Sequence, residues 1–244
     1  MEGAHMPGTD DPRQNRLLAA LPTDDYQHLL PHLERVQLRL SESLYESGCQ
    51  LQHVYFPTTA ILSVHYIMED GASAEIAGVG NEGMLGVALI MGGATMPNRA
   101  MVLCEGTAYR VKSQALMAQF NRAGGRRSDA LQHLLLRYTQ VMITEISQTS
   151  VCKRHHSMEQ QLCRWLLSNL DRSASNELTL TQELIANMLG VRRESITDAA
   201  GKLQQDGHIR YHRGHITVLE RAGLEKHACE CYQIVKAEAQ RLLP

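Results

Sequence analysis

Arg193, Glu194 and Ser195 stand side by side in residues 179–219, and together they carry the chemistry of base recognition. An arginine fork bonds guanine O6 and N7 at once. A glutamate accepts from cytosine N4, and a serine hydroxyl suits a base edge or a phosphate. Arg192, Thr197 and Asp198 lie around this trio and belong to the same candidate DNA-binding surface. Thr179, Thr181, Lys202, Arg210 and Arg213 are candidate phosphate contacts, which fix register without reading sequence.

Such a trio needs a helix to present it. Thr181 is a good N-cap for a first helix, with Glu183 in its first turn where a carboxylate suits the helix dipole. Leu184, Ile185, Met188 and Leu189 give that helix an apolar face. Gly190 supplies a sharp turn through positive φ, and Val191 plugs it. The spacing predicts a second helix from Arg193, burying Ile196, Ala199, Ala200 and Leu203 and turning Arg193, Glu194, Thr197 and Asp198 outward. Asp206-Gly207 ends it. Residues 208–212 and 215–219 read as two strands of a wing joined by a tight turn at Arg213-Gly214. The second helix of such a motif lies in the major groove with its N-terminal residues on base edges, so the expected partner is double-stranded DNA. Protein contact, or a plain structural role, is the competing use of a winged helix.

The chain has 244 residues and a formal net charge of −2, so it is no generic polyanion binder. Residues 153–217 hold nine Lys/Arg against seven Asp/Glu. Affinity for DNA must then come from a few placed cations and from dimerisation. Six cysteines are widely scattered, and neither a signal peptide nor a membrane-length apolar run is visible. A cytoplasmic protein with reduced thiols and no membrane partner is the expectation.

Residues 1–12 read as a disordered tail or an expression remnant. Helical spacing marks residues 13–21 and 24–33. The period then changes at Glu34. Short apolar runs at residues 54–56, 61–68, 74–79, 99–103 and 107–111, separated by glycine turns, predict a small β-barrel or jelly roll. A short helix follows at 113–122 and ends at Gly124-Gly125. A long helix is expected over residues 128–153, roughly 36–40 Å at about 1.5 Å per residue. Leu131, Leu134, Leu135, Tyr138, Val141, Met142 and Glu145 share one stripe of it. That stripe suits the two-fold partner helix of a homodimer, or else the helix's own β domain. His155-His156-Ser157 marks a hinge. Residues 158–169 form an amphipathic helix with Leu162, Trp165 and Leu166 inward, and residues 224–243 form a terminal helix. The fold class is α+β: a β domain over 13–126, a dimerisation helix over 127–154, and a winged helix with its C-terminal helix over 155–244.

This order of elements resembles the cyclic-AMP receptor protein/FNR (Crp/Fnr) family of bacterial transcription regulators, over about residues 13–219. Its most specific carrier is Gly-Val-Arg-Arg-Glu-Ser-Ile-Thr at residues 190–197. The resemblance implies base reading by Arg193, Glu194 and Ser195 and contact with RNA polymerase; a change in the packing of the long helix or at the 153–157 hinge is expected to rotate the two winged helices. Asp198 stands where the family often has a further arginine, which implies a different operator. The resemblance also implies a cyclic-nucleotide-binding-like layout for the β domain. Its candidate effector residues are Glu82, Gly83, Met84, Leu85, Arg99 and Ala100. Here Glu82 precedes Gly83, and Ala100 lacks the hydroxyl of the family's phosphate pair, so the donor set is incomplete.

The cofactor, if one exists, stays open. FNR-type iron–sulfur binding uses closely spaced N-terminal cysteines, but no cysteine precedes Cys49 and there is no Cys-x-x-Cys, so a cluster is not expected. Haem remains possible, with Cys49, His53, His65 and Cys104 as single ligands. Cys229, Cys231 and His227 are too close along one helix to converge on a metal and show no fourth donor. Cys152 beside His155-His156 is discounted in the same way, and no metal site is expected. A Cys–His enzyme is the rival class. No nucleophile elbow, Walker loop or paired-carboxylate motif supports it, so no enzyme activity is expected.

Overall fold

The computed structural model describes residues 11–122, 130–173 and 175–243. Expectations for residues 1–10, the Gly124-Gly125 break and the helix start at Ser128 lie outside the described residues. After a 3-10 turn at Pro12–Gln14, Asn15 caps α1 (Arg16–Ala19) by accepting from the Leu17 and Leu18 amides. The same buried side chain donates from Nδ2 to Pro57 O and Gly83 O at 2.9 and 2.8 Å, stitching the N-terminus to the β domain. α2 covers Thr23–Leu29.

Seven strands follow: β1 (Glu34–Leu38), β2 (Ser43–Tyr45), β3 (His53–Pro57), β4 (Ile61–Ile67), β5 (Ser73–Val79), β6 (Arg99–Cys104) and β7 (Gly106–Lys112). They form two antiparallel sheets of order β1-β7-β3 and β2-β6-β4-β5. Neither sheet closes on itself, so the domain is a jelly roll and not a barrel. Leu38, Val54, Phe56, Leu62, Val64, Val102 and Val111 fill its core. α3 is Ser113–Phe120, α4 is Ala130–His155 and α5 is Met158–Asp171. A reciprocal Ser157/Gln160 capping box starts α5 directly after the α4 end, which makes the break a defined corner.

The winged-helix unit contains β8 (Glu177–Thr179), α6 (Gln182–Leu189), α7 (Arg193–Gln205), β9 (Ile209–His212) and β10 (His215–Val218). The expected two-stranded wing is a three-stranded antiparallel sheet of order β8-β10-β9. β8 has only three residues, too few to show a period. The expected single terminal helix is two helices, α8 (Arg221–His227) and α9 (Glu230–Leu242), because Ala228 and Cys229 between them are extended. A second core joins α5, α6, α7 and the wing strands, and Ile61 and Leu103 of the β domain belong to it. The winged helix is therefore docked on the β domain.

The stripe expected to make the dimer faces the other way. Leu131, Leu134, Leu135, Tyr138 and Met142 are buried in the jelly-roll core, Val141 is buried too, and Glu145 is engaged by Arg172. A single long helix beside a β domain must cover that domain's open face first, which consumes its more apolar side. The solvent side of α4 still carries Leu136, Ile143, Ile146 and Val151, exposed by 44, 46, 37 and 48 %.

Polar groups lock the seam between the cores. Arg172, at the α5 C-terminus, is 8 % exposed. Its Nε donates to Glu82 Oε1 at 2.7 Å and its Nη2 to Glu145 Oε1 and Oε2 at 2.9 Å each. Nearby, Trp165 Nε1 donates to Glu75 Oε1 at 2.7 Å, and Lys153 Nζ donates to the Glu75 carbonyl at 2.9 Å. Burial pushes the Glu75 carboxyl above the usual carboxylate range.

Arg172→Met leaves two desolvated carboxylates without their cation, and it is expected to lower the unfolding free energy by about 3–5 kcal/mol, read from the urea midpoint. Glu75 gives a pH dependence of the opposite kind to a salt-bridged acid. Its folded-state pKa lies above the unfolded value, so its favourable contribution is complete below the unfolded pKa and is lost as pH rises through the folded one. Glu75→Gln keeps an acceptor for Trp165 and removes the charge. The variant is expected to melt higher than the parent at neutral and alkaline pH, with the gap shrinking in acid. Thermal melts across pH check this.

Candidate nucleic-acid interface

The geometry of the winged-helix unit starts from its caps. Thr181 Oγ1 accepts from the Leu184 amide at 3.1 Å, as the sequence predicts, and starts α6. Gly190 ends α6 with φ 69° and ψ 40°. A Cβ there would also sit 3.1 Å from Ala74 Cβ on β5, so the glycine serves both the turn and the docking onto the β domain. Ser63 Oγ lies 3.2 Å from Met188 Sδ across the same contact.

α7 begins at Arg193, after Arg192 in extended conformation. Ile196, Ala199, Ala200 and Leu203 bury one face. Arg192, Arg193, Glu194, Thr197, Asp198 and Lys202 are exposed, and Ser195 is half-buried. The start of the helix thus offers two guanidinium groups and a carboxylate to solvent. Among the described residues, no ion pair engages Arg192, Arg193, Arg210 or Arg213. Two expected contacts are otherwise occupied. Lys202 Nζ pairs with Glu159 of α5, and the Thr197 hydroxyl lies 2.8 Å from Gln182 Oε1 and 3.1 Å from the Arg193 carbonyl. Thr197 therefore ties α7 to α6.

The wing turn has Arg213 at φ 47° and Gly214 at φ 82°, two left-handed residues in succession, as a type I′ hairpin requires. Arg210 and Arg213 project from the wing as exposed cations, while Thr179 Oγ1 lies 3.4 Å from His215 Nδ1. Tyr211 holds the wing against the helices. Its amide donates to Gln204 Oε1 at 2.8 Å and its hydroxyl to Leu180 O at 3.1 Å. Tyr211, Gln182 and Gln204 were not singled out from the sequence, because isolated polar side chains carry no spacing signal.

The candidate effector residues do not come together. Met84, Leu85 and Ala100 are core residues of the jelly roll. Gly83 is the floor under Tyr138, whose hydroxyl would lie 2.2 Å from an added Cβ. Glu82 is spent on Arg172, and Arg99 Nε faces Ser43 Oγ at 3.4 Å and Glu46 Oε1 at 3.2 Å. A cavity of about 480 Å³ lies instead among Arg16, Tyr138, Val141, Tyr232 and Lys236, and Glu82 is the one expected effector residue on its wall. None of the four haem candidates lines it: Cys49 is exposed, His53 and Cys104 are half-buried, and His65 is buried.

The expectation that the cysteines lack a convergent donor set is overturned. Cys152 in the last turn of α4 and His156 just after it meet Cys229 and Cys231 at the start of α9, with one donor atom of each within 4.8 Å of the others. The break between α8 and α9 turns both cysteines toward α4, which a single straight helix would not do. His227 is not in the group; its Nδ1 faces Gly223 O at 2.9 Å.

A jelly roll, a long helix and a docked winged helix with an exposed basic helix start define the class: a two-unit protein whose C-terminal part holds a helix-turn-helix module. Residues 160–227 match the family model of the Crp-like helix-turn-helix domain. Solved structures match over most of the chain. FixK2 from Bradyrhizobium japonicum aligns with TM-score 0.68 at 15 % identity, covering 81 % of this chain and 98 % of its own. A Crp/Fnr-family regulator from Eubacterium rectale gives 0.66 at 16 %, covering 88 % and 98 %. The c-di-GMP responsive global regulator CLP from Xanthomonas campestris gives 0.63 at 14 %, covering 81 % and 99 %. No curated protein sequence matches. Residues 160–227 are thus a Crp-like helix-turn-helix domain, and the chain as a whole has the fold of the Crp/Fnr transcription regulators. No described helix is long and apolar enough to cross a membrane.

Proposed function

We propose that this protein is a homodimeric, DNA-binding transcription regulator that reads a pseudo-palindromic operator through the N-terminus of α7. The observation that carries this reading is the exposed run Arg192, Arg193 and Glu194 at the start of α7, inside a Crp-like helix-turn-helix domain. Arg193 reads guanine, Glu194 accepts from cytosine, and Ser195 contacts a base edge or phosphate. Arg210, Arg213, Thr179 and Thr181 hold the backbone, and Arg192 adds a further cation at the helix start. Lys202, already paired with Glu159, contributes less.

The dimer forms through the solvent face of α4. Leu136 and Ile143 are seven residues apart on it, and Ile146 and Val151 extend the apolar strip toward the hinge. A two-fold axis along that face sets two reading helices about 34 Å apart, one turn of DNA. A signal can act only by binding one arrangement better than another. The β domain touches the reading unit through β5 and α6, and the α4 corner at residues 155–157 is the other route. Binding to DNA places the protein in the cytoplasm, with RNA polymerase as the partner implied by its fold.

Selection of bound sequences from random duplexes, followed by titration with variants, tests the reading. Arg193→Ala is expected to cost about 1–3 kcal/mol on the selected operator and to relax one base position. Arg213→Asn, which tolerates the left-handed turn, is expected to weaken all sequences alike and reduce the salt slope by about 1. Equal loss of specific and nonspecific binding in both variants refutes the assignment of Arg193. Ile143→Glu is expected to leave a folded monomer in sedimentation, with operator affinity reduced; a persistent dimer means that another face pairs.

A further inference from the structure

We propose that Cys152, His156, Cys229 and Cys231 form a closed tetrahedral zinc site that clamps the start of the C-terminal helix onto the hinge end of α4. The distances fit the metal. Cys152 Sγ and Cys229 Sγ are 3.5 Å apart, and Cys231 Sγ and His156 Nδ1 are 3.7 Å apart. Around one zinc, with Zn–S about 2.3 Å and Zn–N about 2.0–2.1 Å, two tetrahedral sulfurs lie about 3.8 Å apart and a sulfur–nitrogen pair about 3.5 Å. Three thiolates and one imidazole are a known structural zinc set. They occupy all four positions with protein atoms, so the site has no place for a substrate.

Each ligand is positioned by local structure. Cys152 lies in the last turn of α4, and His156 directly follows that helix with its amide donating to the Cys152 carbonyl at 3.1 Å, which brings the two side chains to one side. Cys229 is the N-cap of α9, and Cys231 lies in its first turn. The three cysteines form a cluster of their own, exposed by 0, 3 and 1 %, separate from both domain cores. The second ring nitrogen of His156 is accounted for as well. Its Nε2 lies 3.2 Å from Glu230 Oε2, which assigns the proton to Nε2 and leaves the Nδ1 lone pair facing the sulfurs. A carboxylate behind a ligating imidazole is the usual way that such a ring is held. Arg164, whose Nη2 donates to Thr149 Oγ1 at 2.7 Å, stands near Cys152 and Cys231 and offsets the excess negative charge of three thiolates on one dication. A Cys152–Cys229 disulfide would use two of these groups and leave the Cys231–His156–Glu230 arrangement without a role.

The consequence is mechanical. α9 lies along α4, and the site fastens its first turn at the corner from which α5 leads to the reading helices. Zinc closes a loop whose ends are 77 residues apart in sequence, containing nearly the whole winged-helix unit. Loss of the metal frees α9 and that corner together. The proposal stands whether or not the protein binds DNA as argued above.

The test uses the full chain purified under reducing, anaerobic conditions without a metal-binding tag. Elemental analysis is expected to find about one zinc per chain. Cobalt(II) exchanged into the site is expected to give the thiolate charge-transfer and ligand-field bands of a tetrahedral sulfur-rich centre. Cys229→Ser and Cys231→Ser should lose both signals, and Cys49→Ser should keep them. Glu230→Gln, which leaves all four ligands in place, should weaken metal affinity by about 10–100-fold. Should the serine variants fail to fold, the parent's zinc content and cobalt spectrum and the Glu230→Gln titration still decide. Absence of stoichiometric metal after zinc addition overturns the proposal. So do iron with acid-labile sulfide, or a chain mass two protons short that maps to a Cys152–Cys229 disulfide.

Discussion

A single buried cation holds the architecture together. Arg172 leaves the end of α5 and spends its guanidinium on Glu82 from the β domain and Glu145 from α4. A charge removed from water must be paired, so each of the three segments is obliged to keep its place relative to the others. The surrounding backbone is cut to fit. A Cβ at Gly78 would lie 2.5 Å from Arg172 Nη1, and one at Gly80 would lie 2.5 Å from Arg172 Cβ. The Gly80 amide also donates to Glu82, and the Gly78 amide donates to Glu145 at 3.2 Å, which fixes both carboxylates from behind.

That anchor explains why the winged helix lies against the jelly roll. α5 carries Arg172 and Trp165 into the seam, and the winged-helix unit follows α5. Ile61 and Leu103 of the β domain then complete the second core, and Gly190 lets α6 approach β5. Docking of this kind leaves the start of α7 and the wing turn in solvent, while the Ile196, Ala199, Ala200 and Leu203 face of α7 is buried against its neighbours. With a net charge of −2 over the chain, the exposed arginines stand out as local features and not as part of a general basic surface. Glu82 and Gly83, which in sequence look like the edge of an effector pocket, are structural: one is the counter-ion of Arg172, the other makes room for Tyr138.

The sequence by itself determined what depends on neighbours within about one helical turn. Thr181, Gly190, Asp206-Gly207 and Arg213-Gly214 mark the ends of their elements because capping and positive φ are local demands, and the apolar period of α6 and α7 follows from their own burial. Arg193, Glu194 and Ser195 at the start of α7 were legible for the same reason: the three residues are adjacent. Three-residue β8 and the α8–α9 break were not, since neither is long enough to set or interrupt a period. Tertiary structure alone decided which side of α4 is inside. Both sides carry apolar residues, and only the open face of the jelly roll chooses between Leu135 and Leu136. Tertiary structure also decided which cysteines meet. Cys152 and Cys229 are 77 residues apart, and no spacing rule spans that distance; they meet because α9 turns back along α4. Arg172 and Glu82, 90 residues apart, meet for the same physical reason: a charge that must be buried takes its partner from whatever the packing brings near.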